Sequence, residues 1–478
     1  MGCVGKMAKV LFVQKKLHEK LSIHALAAFL KQNNHVCDAL IYDAESNFYD
    51  KVKSYNPDIV AYSLCIGEYN DAKTILKKIK SRSPSQRILV GGPFLTIFPE
   101  IINEDFIDMI SVGDGEYPLV EILDRIEEEN FNFSNIDGIY FKENNKIFGN
   151  KSISLITSLT VLPIPDRDIY YSKYEKLRNL KTKPFILSRG CPYNCSYCYS
   201  GQFNDYYKKC GKYWRLRDPT QVIDEIRYVR DTYGLKWIQF HDGTFNANKH
   251  FIKEFLKLYA ESGLPGFVIN SRTENVDEEY VQLLKKAGCD RVTIGVQHGN
   301  EDLRRIIANR PMKNREIIDS CNLLKKYNIR VGIDLIFGWP GETLEQAFET
   351  IDFARKLDCD SINSNVLRFY PKTAITNYAI RKGYLNQEVS IDEAESLLPN
   401  TSQLNITELI NLDKLCHLAI RFPKLQWLIK LLIKLPPNKL FLIIKDIPSI
   451  RRHFKYEIKN YKEKCAFLRS YLKGVIKA

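Results

Sequence analysis

The stretch Gly190-Cys191-Pro192-Tyr193-Asn194-Cys195-Ser196-Tyr197-Cys198 places three thiols within eight positions. Spaced i, i+4 and i+7, they would share one face of a helix and could lie in a core stripe. Gly190 ahead of them, the extended bias that Pro192 imposes on Cys191, and Asn194 favour a loop instead. A zinc site calls for a fourth Cys or His at short spacing, and the nearest further thiol is Cys210. Disulfides are disfavoured: twelve cysteines in 478 residues, with no secretory pattern near Met1, fit a reducing cytoplasm. Three thiolates on a cubane iron-sulfur cluster leave one iron without a protein ligand, whereas electron carriers usually take four cysteines. An open iron is a place for a substrate to bind.

Outward from the triplet, short β-branched runs alternate with amphipathic stretches. Downstream, strands are expected at 185–188, 237–241, 267–270, 291–295, 330–336 and 361–367, a partial parallel (β/α)6 barrel two units short of the closed form. Upstream, strands are expected at 9–13, 36–42, 58–63, 87–90 and 109–112, an α/β, doubly wound parallel sheet. Ligands of such sheets gather beyond the carboxyl ends of the strands. Three of those ends carry small or flexible residues: Ser63 and Cys65, Gly91-Gly92-Pro93, and Gly113-Asp114-Gly115-Glu116. A hairpin is expected over 138–148 around Glu143-Asn144-Asn145, followed by a linker at Pro163, Pro165 and Asp166. The expected organisation is therefore 1–135, a hairpin and linker over 136–180, the barrel over 181–390, and a helical region over 391–478.

The spacing Cys-x3-Cys-x2-Cys, with Tyr197 just before the last cysteine, resembles that of the radical S-adenosylmethionine superfamily. The resemblance implies that Cys191, Cys195 and Cys198 ligate a four-iron, four-sulfur (4Fe-4S) cluster. In that family the open iron chelates the methionine moiety of S-adenosylmethionine, and an electron from the reduced cluster breaks the C–S bond to give a 5′-deoxyadenosyl radical. Phe240-His241-Asp242-Gly243-Thr244-Phe245 sits where the family has an acidic strand end receiving the methionine amine, with His241 in place of the first acid. Asn270 and Arg272, Gly295-Val296-Gln297-His298-Gly299, and Ile336-Phe337-Gly338-Trp339-Pro340-Gly341-Glu342-Thr343 match segments that hold the ribose, carboxylate and adenine. The implied S-adenosylmethionine contacts are Tyr197, Asp242, Asn270, Arg272, Gln297 and Gly338.

The N-terminal region is similar to the cobalamin-binding domain joined to one branch of that superfamily. Val90-Gly91-Gly92-Pro93 and Val112-Gly113-Asp114-Gly115-Glu116 match its two best signatures, and the linker Leu162-Pro163-Ile164-Pro165-Asp166-Arg167-Asp168 resembles the branch too. Implied cobalamin contacts are Ser63, Gly91, Gly92, Gly113, Gly115 and Glu116. The alternative Asp-x-His-x-x-Gly motif is absent from residues 14–21, so cobalt would take no histidine from it. Methylation of an unactivated carbon is the commonest reaction this branch implies, with ring formation and hydroxylation on the same machinery. Methylthio transfer is a rival, but Cys3, Cys37 and Cys65 do not fall in that family's contexts. A non-catalytic iron-sulfur electron carrier is a second rival. A small-molecule or peptide substrate and a reductant such as flavodoxin or ferredoxin follow from the resemblance.

Pro371-Lys372-Thr373 resembles the segment closing the family's barrel, and beyond it the resemblance ends. The net charge is +13, yet residues 401–478 hold sixteen Lys and Arg against five Asp and Glu, so the basicity belongs to the tail. No stacking platform or reading motif accompanies it, which argues against nucleic acid. Residues 425–435 alternate Leu, Ile and Trp427 with Lys430 and Lys434, and Arg451, Arg452, Lys455 and Lys459 follow. Such a pattern suits either an accessory helical domain with a solvated basic face or an interfacial helix drawn to anionic lipid. No run of about 18 apolar residues escapes a charge. The expected location is cytoplasmic, with peripheral membrane contact open.

Overall fold

The computed structural model describes residues 7–144, 146–150, 152–385, 389–392 and 403–456, with 464, 465, 468 and 471. Cys3, Lys459 and the side chains of Arg451, Arg452 and Lys455 lie outside the described part. The chain forms two compact units. One comprises Met1–Asn179, Ser188–Gly190 and Gln202–Tyr233, the other Leu180–Leu187, Cys191–Gly201 and Gly234–Ala478.

In the first unit, β1 (Lys9–Gln14), β2 (Val36–Ile41), β3 (Ile59–Ser63), β4 (Arg87–Gly91) and β5 (Met109–Ser111) run parallel, and β6 (Ile139–Glu143) and β7 (Lys146–Gly149) add an antiparallel hairpin. The sheet order is β2-β1-β3-β4-β5-β6-β7. Every residue of β3 is buried, as expected of a central parallel strand covered on both faces. The expected hairpin is present, but it extends this sheet rather than standing apart from it. Its β6 presents Ile139 and Phe141 to the core that also holds Met109 and Phe133. Arg167 is fully buried in this unit, where Nη1 donates to Glu19 (2.9 Å) and Nη2 to Glu225 (2.6 Å), and Arg217 also donates to Glu225 (2.7 Å).

The second unit is built on β8 (Thr182–Phe185), β11 (Trp237–Phe240), β12 (Phe267–Ser271), β13 (Cys289–Gln297), β14 (Arg330–Phe337) and β15 (Ser361–Val366), while β9 (Ser188–Arg189) and β10 (Arg215–Leu216) pair as a short antiparallel ribbon in the first unit. The six strands are parallel, in the order β15-β14-β13-β12-β11-β8. The strand expected at 185–188 starts earlier and ends sooner than its pattern suggests. Pro184 fits inside β8 because β8 is an edge strand, where a missing N–H breaks no ladder. The period of two then sorts the sheet's faces. Ile238, Phe240, Phe267, Ile269, Val292, Ile294, Val331, Ile333 and Leu335 are buried on one side, and Gln239, Asn270, Asn363 and Asn365 are exposed on the other.

The helical tail is present. The helix Ile406–Arg421 opens on a reciprocal cap between Asn405 and Glu408. Arg421 donates to Cys359 O (2.9 Å), Ser364 Oγ to Asp413 O (3.0 Å) and Arg355 to Ala419 O (2.7 Å), which fastens it to β15 and the helix Leu344–Leu357. Among the described residues no helix is long and apolar enough to cross a membrane.

Candidate active site

The cysteine triplet occupies a loop, as Gly190 and Pro192 suggest, fastened along its length by backbone bonds. Ser196 N donates to Ala308 O (3.1 Å), Ser196 Oγ to Ile307 O (2.5 Å), Asn309 Nδ2 to Asn194 O (2.7 Å), and Ile375 N to Ser196 O (2.9 Å). At its entrance, Leu187 N donates to both carboxylate oxygens of buried Asp242, at 3.1 and 3.0 Å. Asp242, read as a contact for the methionine amine, thus also anchors the chain as it leaves β8.

None of the three thiols is in a disulfide: Cys195 is buried, Cys191 half-buried and Cys198 exposed. Cys191 Sγ lies 3.8 Å from Thr244 Oγ1, and Cys198 Sγ lies 3.4 Å from Ser200 Oγ. Burial pushes the Cys191 thiol up, and its two neighbouring thiols add to the rise. Two guanidiniums meet Cys195: Arg272 Nη1 and Arg310 Nη1 each lie 3.4 Å from its Sγ. Arg310 also donates to Gly295 O (2.6 Å), and Arg272 stacks 3.9 Å from the Tyr193 ring centroid while Nε holds Glu274 (2.9 Å). Burial works against the Arg310 charge, but Tyr197 and Cys195 more than offset it and its pKa is raised. Among the described residues no three His, Cys, Asp or Glu side chains converge to hold a single metal ion. A cluster spreads its thiolates over separate irons, and three thiols outside any disulfide, with two buried cations against one of them, form a donor set suited to it.

The other expected residues lie at the carboxyl ends of successive strands of one sheet. The Asn270 side chain is exposed at the end of β12, and its carbonyl accepts Phe245 N (2.9 Å). Gln297 ends β13 on a register shift with φ of 67°, an uncommon conformation for a non-glycine residue that re-aims its side chain. Gly338 follows β14 with φ of 86°, which favours glycine. Next to it, Trp339 is fully buried with its ring edge-on to Tyr197 at 5.5 Å. The structure brings Arg272 to Cys195 and Tyr197 to Trp339, whereas Asn270 makes no such contact.

Sequence reasoning missed Arg310 and a buried dyad beneath the strand ends. His298 Nε2 and Glu342 Oε1 are 2.8 Å apart, and the other carboxylate oxygen accepts Gly338 N and Trp339 N (3.1 Å). Asn300 N donates to His298 Nδ1 (3.0 Å), so Nε2 carries the imidazole proton. Both residues were visible only as letters inside the two matching segments.

A second candidate site lies at the carboxyl edge of the first unit's sheet. The order 2-1-3-4-5 reverses between β1 and β3, the usual crevice for a cofactor. There Ser63 Oγ meets Ser22 Oγ (3.0 Å), and Lys20 donates to Ser63 O and Glu68 (both 2.6 Å). The glycines at this edge answer first to their own unit. Gly92 has φ of 101°, and a Cβ there would come within 2.6 Å of Leu64 O. One at Gly113 would meet Ile153 at 2.8 Å and one at Gly115 Leu26 at 3.3 Å, whereas Gly91 has ordinary space around it. Buried Glu116 and half-buried Asp114 pair with Arg189, and Asp114 also with Arg215. Burial would raise the Asp114 pKa, but the Arg215 and Arg189 guanidiniums pull it below the ordinary value. Hydroxyls at the switch point and an unfilled Gly91 suit a large flat cofactor.

Residues 185–354 match the radical SAM superfamily and residues 9–123 the B12 binding domain. The chain belongs to the radical S-adenosylmethionine enzymes that carry a cobalamin-binding domain. It is 29% identical over 76% of its length to an uncharacterized methyltransferase of Pyrococcus horikoshii, 79% of which is covered. It is 27% identical over 71% of its length to the anaerobic magnesium-protoporphyrin IX monomethyl ester cyclase of Cereibacter sphaeroides, 56% of which is covered. The solved structure of the cobalamin-dependent S-adenosylmethionine radical enzyme OxsB, with aqua-cobalamin and S-adenosylmethionine bound, covers 98% of this chain and 75% of OxsB, at a TM-score of 0.70 and 18% identity. That likeness is one of fold.

Proposed function

We propose that this enzyme is a cobalamin-dependent methyltransferase acting on an unactivated carbon of a small molecule, with Cys191, Cys195 and Cys198 holding a 4Fe-4S cluster. When bound, the cluster supplies the electron that cleaves S-adenosylmethionine, and cobalamin supplies the methyl group. The observation that carries the reading is the convergence of Arg272 and Arg310 on Cys195, since two buried cations at one thiol suit the negative charge of a thiolate-bound cluster. Asp242, Asn270, Gln297 and the backbone at Gly338 bind S-adenosylmethionine at the strand ends, with Tyr197 and Trp339 forming an aromatic wall. In the first unit Ser63 and Gly91 touch cobalamin. Gly92, Gly113 and Gly115 shape the backbone beneath it, and Glu116 fixes the turn through Arg189. Relatives named as methyltransferases support methyl transfer, and ring formation, named for the cyclase relatives, is the second reading. Flavodoxin or ferredoxin supplies electrons, and the basic helical tail makes peripheral membrane contact.

The test is anaerobic reconstitution with iron, sulfide and cobalamin, then reduction in the presence of S-adenosylmethionine and candidate substrates. Methyl transfer by this route yields both 5′-deoxyadenosine and S-adenosylhomocysteine. Formation of 5′-deoxyadenosine with no uptake of corrinoid would overturn the cobalamin part of the reading and leave the cluster part intact.

A further inference from the structure

Between Arg421 and Lys445 the sequence contains six basic residues and no Asp or Glu. The helix Gln426–Leu432 in this stretch has apolar side chains on two faces. Ile429, and Ile433 just past the helix end, are fully buried against the second unit. Trp427 and Leu431, one turn apart, point outward with 65% and 56% of their surface exposed. Leu435, Leu440 at 62% and Phe422 add to the exposed apolar surface, and Lys424, Lys430, Lys434 and Lys439 are exposed among them. Among the described residues nothing packs on that outer row, and Ile429 and Ile433 already supply the inward contact. Large exposed apolar side chains crowded together mark a binding surface.

We propose that this face is a docking surface for an anionic lipid bilayer, with Trp427, Leu431 and Leu440 entering the interface and the lysines meeting the headgroups. A second copy of the chain is the less suitable occupant. A two-fold contact would press one lysine-rich patch against an identical one, with no carboxylate in the stretch to neutralise either. An anionic bilayer supplies the missing negative charge and a medium for Trp and Leu together. The inference deepens the membrane contact proposed above and does not depend on which substrate is methylated.

The experiment is flotation of the full chain with vesicles of phosphatidylcholine alone or mixed equally with phosphatidylglycerol. The wild type should float with the mixed vesicles, stay behind with phosphatidylcholine, and be released as salt rises. Each of Lys424→Gln and Lys434→Gln should weaken binding about fivefold. The pair Trp427→Ser and Leu431→Ser should abolish it while leaving the thermal midpoint unchanged, because both side chains are largely exposed. Flotation equal on both vesicle types, no flotation, or a double variant that floats like the wild type would each overturn the proposal. So would a concentration-dependent dimer in sedimentation that the double variant loses, which would assign the face to a second copy. Formation of 5′-deoxyadenosine in detergent-free solution, measured beside it, tests the catalytic reading on its own.

Discussion

Cys195 differs from its two partner thiols in being buried beneath two guanidiniums, and that asymmetry sets what each substitution should do. Cys195→Ala should lose cluster iron and all 5′-deoxyadenosine formation. Arg310→Gln should keep its iron, since all three thiols remain. It should nevertheless move the cluster's midpoint potential to a more negative value, because a nearby cation favours the reduced, more negative state. An EPR-monitored redox titration reads the shift, and an unchanged potential would remove Arg310 from this role. In the first unit, burial opposes ionisation of Glu19, but His24 and Arg167 hold its carboxyl down at about 2. A depressed carboxylate stabilises the fold fully above its ordinary value near 4.5 and loses that contribution as pH falls toward about 2. The contribution is on the order of 3 kcal/mol. Urea midpoints measured across that window should fall steeply for the wild type and less steeply for Glu19→Gln, which starts from a lower stability because buried Arg167 has lost one partner. The thiols were legible because their spacing is local. Arg310 was not, because its guanidinium reaches Cys195 from 115 positions away and no periodicity marks it.

At the scale of elements, the strand ends depend on carboxylates that face inward. Glu342→Ala would orphan the amides of Gly338 and Trp339 and the proton on His298 Nε2. It should cost about 3 kcal/mol or more, seen as a lower denaturation midpoint and weaker S-adenosylmethionine binding by calorimetry. The glycine-rich ends of β4 and β5 call for a different probe. Gly92→Val would strain the turn against Leu64 and damage the unit itself, so it cannot report on cobalamin. Gly91→Ala, whose Cβ meets Ser111 only at ordinary contact distance (3.8 Å), should lower corrinoid loading with little change in stability; normal loading would exclude Gly91 as a contact. Most strands were legible in the sequence as apolar runs of the right length, and the tail was legible as helix. The break between β8 and β9 was not, because an edge strand tolerates Pro184 and because Arg189 finds its strand partner, Arg215, in a segment that reads as loop.

For the whole molecule, the class of enzyme was legible from a few motifs, whereas the division of the chain was not. Sequence patterning suggests a break near residue 180, yet residues 202–233 pack with the first unit. They bring Glu225 to Arg167, Arg215 to Asp114 and the Tyr207 hydroxyl to Thr96 (2.5 Å). A fragment ending at Asn179 should therefore be insoluble or molten, with Arg167 and Asp114 deprived of buried partners. Well-dispersed amide signals from that fragment would show that the pairs are dispensable. The interleaving also has a consequence during synthesis. Before its last segment has left the ribosome, the N-terminal sheet lacks the carboxylate that completes the Arg167 pair, while β8 and the cysteine loop have already emerged. The three thiols thus leave the ribosome ahead of β11 to β15 and of the segments after β12 and β13 that carry their guanidiniums. On the proposed ligand assignment, a chain that keeps those cysteines in waiting through most of translation has reason to depend on chaperones and on iron-sulfur delivery after release, and its soluble yield should follow the supply of both.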